Sequence, residues 1–329
     1  MKKSATLFLS AMLLAAAGSM TVGAEAQVIK PVDYQPPVTY QPIPIPLPPN
    51  NHRLQVLIIT GRGSYEHNWI ATTNAIRRIL QDTGRFEVRV TEEFRGATAE
   101  TLKPYNLVIL NYLGRWNYDD PTELRWGPGP EKALFDFVRN GGGLVVYHSS
   151  FSIGMPSWPE YEKMVGGVTQ VAPGDVTKTT RRSPPLAFML HVTDRNNPIT
   201  QGMREYMWDY DDDMLANLKW APGVKVNVLV KGYDNPAFYA PKLSGPKYPP
   251  SIYTPKNMKK MPGMGEENPL VWTLNYGKGR VFAFLPGHEV VTLFIPGVRS
   301  LLERGSEWAA TGKVTIPVEK DAAAYEGGK

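Results

Sequence analysis

Four strand-like runs, set apart by helix-like segments, constrain the fold of this chain more than any other feature. "LQVLIIT" (Leu54 to Thr60) is apolar without alternation, the pattern of a strand covered on both faces. "NWIATTNAIRRILQDTG" follows, with Trp69, Thr73, Ile76 and Leu80 near helical spacing and Gly84 placed to end the helix. "RFEVRVTEE" and "YNLVILNY" supply two more strands, "EKALFDFVRNGGG" a helix closed by glycines, and "LVVYH" a fourth strand. Strands that alternate with helices predict an α/β fold: a doubly wound, mostly parallel sheet with helices on both faces.

The second half is less regular. "PLAFMLHVTD" and "VKVNVLVKG" read as strands on either side of the acidic "WDYDDDML". "PLVWTLNYGKGRVFAFLPGHE" reads as a hairpin turning at Gly277 to Gly279, and "GVRSLLERGSEWAATG" as a final helix. Between them, Gly232 to Asn268 is rich in Pro, Gly and Lys, and a loop of that length is expected to cover or border the functional site.

The ends divide the chain further. Residues 1–26 carry a Lys pair, a short apolar run and a small-residue site ending at Ala26, which reads as a signal peptide cleaved after Ala26. Residues 27–52 are proline-rich and read as an extended spacer. The globular part is expected over 53–316 and a C-terminal tail over 317–329. No later apolar run reaches the length of a membrane helix, so the mature protein is expected in the periplasm or secreted, without a membrane span. With no cysteine in 329 residues, disulfides, thiolate metal sites and a cysteine nucleophile are excluded. The formal charge of +5 falls to +4 once Lys2, Lys3 and Glu25 leave with the leader. The basic residues are scattered and no basic stripe is interleaved with aromatics, which argues against nucleic acid as a partner.

An open parallel sheet binds its ligand beyond the carboxyl ends of its strands, and that is where the chemistry-bearing residues fall. Tyr65, His67 and Trp69 follow the first strand, Asn111, Arg115 and Trp116 the third, His148 and Ser149 the fourth, and His288 the last hairpin strand. Three of the five histidines are therefore expected on one rim. His191, inside a strand pattern, and His52, at the end of the spacer, are read as structural. "GRGSYE" lacks the third glycine of a dinucleotide fingerprint, and "YHSSF" lacks the spacing of a hydrolase nucleophile elbow. The acidic run Asp209, Asp211, Asp212, Asp213 is interrupted by Trp208 and Tyr210. That interruption implies partial burial, where a carboxylate needs a cation or several donors.

Taken as a spaced series, "VLIITGRGSYEHNW", "YNLVILNY", "FVRNGGGLVVYHSS", "SWPEYEKMVGG", "NPITQGM", "DDDML", "NYGKGRVFAFLPGHE" and "RGSEWAA" resemble the ThuA-like family, named for trehalose utilisation, over about Leu54 to Thr315. The resemblance implies the flavodoxin-like fold of class I glutamine amidotransferases without their cysteine, and hence none of their chemistry. His148 would stand near the strand-end elbow where that cysteine sits. The resemblance also implies a link to sugar metabolism, including 3-keto sugars. It matches the family's histidines with His67, His148 and His288, and its Asp-Glu pair with Asp212 and Asp213. Asn197 departs from the family's "HPIT", and Asp213 is one methylene shorter than the glutamate.

The expectation is thus a carbohydrate-active lyase, isomerase or hydrolase, with His67, His148, His288 and Asp212 as acid-base groups. Tyr65, Trp69, Asn111, Trp116, Ser149 and Asp213 are the expected substrate contacts. The same histidines suit a divalent metal ion as cofactor, with His148, His288 and Asp212 as its ligands. The alternative is a non-catalytic carbohydrate-binding or interaction module. The partner in either case is a small carbohydrate, and a homo-oligomer is compatible with both.

Overall fold

A computed structural model describes residues 52–61, 67–113, 125–153, 158–172, 174–239 and 254–324. The expected leader, the proline-rich spacer, Tyr65, Arg115 and Trp116 lie outside the described residues. In chain order the elements are β1 (Leu54–Gly61), α1 (Trp69–Asp82), β2 (Phe86–Thr91), α2 (Ala99–Leu102), β3 (Leu107–Tyr112), α3 (Pro128–Arg139) and β4 (Gly143–Tyr147). Next come α4 (Pro159–Val165), β5 (Gly167–Val168), β6 (Arg181–Arg182), β7 (Leu186–Val192), β8 (Tyr206–Asp212), β9 (Leu215–Ala216) and β10 (Lys219–Trp220). The order closes with β11 (Asn227–Tyr233), α5 (Pro255–Met258), β12 (Glu267–Tyr276), β13 (Gly279–Phe284) and α6 (Pro296–Thr311).

Nine of these strands form one mixed sheet in the order β2-β1-β3-β4-β13-β12-β11-β7-β8. The first five run parallel, and from β13 onward each strand is antiparallel to the one before. The fold is the expected α/β, flavodoxin-like one, with an antiparallel extension built on the Gly277 turn. β3 and β4 are buried along their whole length, as strands sandwiched between helical layers must be. α1 and α6 touch each other and the parallel strands, while α3 and α4 pack against β13. Asn68 starts α1 by accepting from the Ala71 amide, and Gly312 ends α6 in the left-handed region.

Two departures from the sequence reading matter. Residues 206–212, taken there as an acidic connection, are the edge strand β8. Its inward positions are Met207, Asp209 and Asp212 while Tyr206, Trp208 and Tyr210 face solvent, so charge on the buried face disguised a strand pattern. The C-terminal segment is also not detached: Arg299 pairs with Glu319, the Arg204 amide donates to the Ala322 carbonyl, and Ala323 bridges to Met203. Within Gly232 to Asn268, Arg181 ties down both ends, donating to Asp234, to the Tyr239 hydroxyl and to the Pro262 carbonyl. Residues 240–253 of that segment lie outside the described residues.

Candidate functional site

The strand-end rule brings three histidines together. The ring centroids of His67, His148 and His288 lie 5.0–5.3 Å apart pairwise, although the residues come from the ends of β1, β4 and β13. His148 opens a short 3-10 turn (His148–Ser152) with φ at +39°, a region a non-glycine residue enters only when the surroundings enforce it. The enforcement comes from β3: Ser150 donates to the Leu110 carbonyl and accepts from the Tyr112 amide. His288 sits on the turn after β13. There Gly287 has φ +111°, and a Cβ at that position would lie 2.5 Å from the Tyr147 hydroxyl, so only glycine fits.

The remaining groups come from the antiparallel half. Both oxygens of Asp212 accept backbone amides, from Gly287 at 2.7 Å and His288 at 2.8 Å. Asp212 thereby holds the turn that carries His288, and the side chains grouped closely enough to share an ion among the described residues are His67, His148 and His288. Asp213, with a fully buried side chain, faces the histidines instead. One of its oxygens stands 3.9 Å from His148 Nε2, while the other accepts from Arg182 Nε and lies 3.9 Å from His288 Nε2. A β-bulge makes this placement possible. Leu186 pairs with Asp212 and Phe188 with Asp209, so two steps on β7 oppose three on β8, and Asp211 takes up the slack at φ +61°. Without the extra residue, Asp209 and Asp212 would point to opposite faces.

Hydrogen bonding fixes two tautomers. His148 Nδ1 is 2.8 Å from the Leu285 carbonyl and must donate to it, which leaves Nε2 an acceptor. His288 Nδ1 donates to Glu289 at 3.0 Å, and its Nε2 accepts from Arg182 Nη2 at 2.8 Å. Burial, reinforced by the neighbouring rings and Arg182, holds His67 and His148 down to about 3, so both are neutral lone-pair donors at neutral pH. Burial raises all three of Asp209, Asp212 and Asp213 above the ordinary carboxylate range, Asp209 to about 8. Asp209 and Asp212 repel one another at this depth, and burial with that repulsion keeps a proton on the pair they form, whereas Arg182 offsets part of the burial of Asp213.

The other expected contacts divide. Trp69 is half-buried at the start of α1, its amide bonded to the His67 carbonyl at 2.8 Å, and Ser149 is buried beside His148. Asn111 commits its amide to the Thr72 and Thr73 hydroxyls at 3.0 and 2.9 Å and so braces α1 against β3. His191, as read from its strand pattern, is away from the group, stacked on Tyr206 and bonded to Glu267. Arg182 is the functional residue that sequence reasoning passed over. "RR" reads as surface charge, and the only cue was a two-residue strand that sends adjacent side chains opposite ways, Arg181 to Asp234 and Arg182 to Asp213.

The ThuA family model, described as trehalose utilisation, matches residues 55–309. The chain belongs to the ThuA family. A ThuA-like protein from Parabacteroides merdae superposes with a TM-score of 0.63 at 24% identity, over 82% of this chain and 95% of that one. A second, from Bacteroides uniformis, does so at 0.56 and 20%, over 81% and 96%. At these identities the two structures show the shared ThuA fold alone. No curated protein matches the chain.

Proposed function

We propose that this ThuA-family protein is exported and acts on a carbohydrate, with Asp213 as the proton acceptor of a pocket walled by neutral imidazoles. The observation that carries the reading is the state of Asp213: fully buried, one oxygen held by Arg182, the other facing His148 without a donor. A buried carboxylate raised by its surroundings toward neutral pH is the group suited to take a proton from carbon or water. The trehalose-utilisation description of the family supports a sugar as substrate. Lyase and isomerase chemistry next to a sugar carbonyl begins with such a transfer from carbon, and inverting hydrolysis uses one from water.

The test is a screen of trehalose, ordinary glycosides and 3-keto glycosides with the mature protein and Asp213→Asn. Turnover is expected to fall by roughly 10²–10⁴-fold in the variant while its melting temperature stays within a few degrees. Turnover that survives the substitution removes Asp213 from this role. A binding-only reading is favoured by Tyr206, Trp208 and Tyr210, exposed in a row on the outer side of β8. That reading expects sugar binding without turnover, unchanged in both Asp213→Asn and His148→Ala.

A further inference from the structure

We propose that His67, His148 and His288 form a site for one divalent transition-metal ion, with Zn²⁺ as the fitting ion. One ligating atom from each residue lies within 4.8 Å of the others. Nitrogens arranged tetrahedrally around an ion at 2.0–2.1 Å stand about 3.4 Å apart, so the rings must close by up to roughly 1.4 Å through side-chain rotation. Three imidazoles leaving one position open is the ligand set of a catalytic rather than a structural zinc, and the chain offers no thiolate to compete.

Two independent features point to a cation. The first lies behind the rings: His148 donates its Nδ1 proton to the Leu285 carbonyl and His288 to the Glu289 carboxylate. Such back-bonding orients ligating histidines and turns their Nε2 lone pairs toward the ion. The second lies in front: Asp213 Oδ1 is buried, has no donor, and faces the acceptor Nε2 of His148 at 3.9 Å. Two acceptors confront each other there with no proton between them, and a positive charge in the gap relieves both. Arg182 supplies part of that charge by donating to His288 Nε2, which makes its guanidinium the competitor for that lone pair. The ligand set differs from one built on Asp212, whose oxygens are taken by amides, and it does not depend on which sugar is bound.

The probe is the metal alone. Full-length mature protein, stripped with a chelator, is titrated with Zn²⁺ by calorimetry and with Co²⁺ by visible absorption, alongside His67→Ala, His288→Ala, His148→Asn and the control His191→Ala. Asparagine is chosen at 148 because it tolerates positive φ. One ion per chain is expected, with the strong absorption of four-coordinate Co²⁺ and a rise in melting temperature on adding Zn²⁺. Each of the three site variants is expected to weaken binding by at least about tenfold, His191→Ala to leave it unchanged, and Arg182→Ala to leave it equal or tighter. Absence of saturable binding overturns the proposal, and so does binding that persists in His67→Ala and His288→Ala. Neither result touches the sugar assay, so the two readings fail separately.

Discussion

The two halves of the sheet contribute to the site in different ways. The parallel half delivers His67, His148 and His288, which follow β1, β4 and β13 in the sequence and meet at one rim of the sheet. The antiparallel half delivers Asp212 and Asp213 through a bulge on its edge strand β8, and Arg182 comes from β6, which pairs with β9 in a separate two-stranded sheet. The parallel half places lone pairs, and the antiparallel half places charge. Positions of the first kind follow from topology, because any residue at the end of a central parallel strand meets its neighbours' ends. Positions of the second kind follow from one inserted residue, and a bulge leaves no mark in hydrophobic periodicity.

Asp212 joins the two halves, and its loss is expected to have the largest effect. Asp212→Ala leaves the Gly287 and His288 amides without acceptors in a buried site, at a cost of about 1–3 kcal/mol for each group. The urea midpoint should fall accordingly with the m-value unchanged, and Zn²⁺ affinity should fall with it because the turn carrying His288 is released. A loss under about 1 kcal/mol would show that the turn is held by Gly287 and Tyr147 without help from the antiparallel half.

Arg182 tests the charge contribution at smaller amplitude. Its side chain is about a third exposed, so solvent discounts the ion pair with Asp213, and Arg182→Ala should cost about 1–2 kcal/mol. Arg182→Lys should not restore the wild-type state, since one ammonium cannot replace separate Nε and Nη donors to Asp213 and His288. Full recovery of stability in the lysine variant, read by thermal melting, would mean that only the sign of the charge matters.

How much of this was readable follows the same division. The parallel, doubly wound character of the sheet, the glycine-closed helices and the convergence of three histidines all followed from apolar runs and their ends, and the strand order did not. Two of the expected sugar-stacking residues, Tyr65 and Trp116, lie outside the described residues. Asn111 stands at the end of β3 as expected, but that its amide is committed to Thr72 and Thr73 could not be read from its position. Position along the strand was legible and side-chain direction was not. For "WDYDDDML" the aromatics were expected to draw the carboxylates inward. The carboxylates Asp209, Asp212 and Asp213 are buried as expected, yet the aromatics lie outside. The burial follows from the bulge and from donors on distant segments, and those donors cannot be seen in the run itself.

The change of stability with pH is the most specific test of how the antiparallel half stores charge. Asp209 is buried beside Asp212 and burial holds it at about 8, so at neutral pH the folded protein keeps a proton that the unfolded chain has released. The folded state binds more protons than the unfolded state between about pH 4 and pH 8, and by linkage Asp209 lowers stability as pH rises through that window. Asp209→Asn replaces the neutral acid by a group of similar size that cannot ionise. At pH 5 the variant should lie within about 0.5 kcal/mol of wild type. By pH 9 it should be the more stable of the two by several kcal/mol, about 1.4 kcal/mol for each pH unit between 5 and 8. Chemical denaturation of both proteins from pH 5 to 9 gives the difference directly, and the titrations they share cancel in it. A difference that is flat with pH, or that moves in favour of wild type, would mean that Asp209 is ionised in the folded protein, and the proton would then have to be assigned to Asp212 or Asp213.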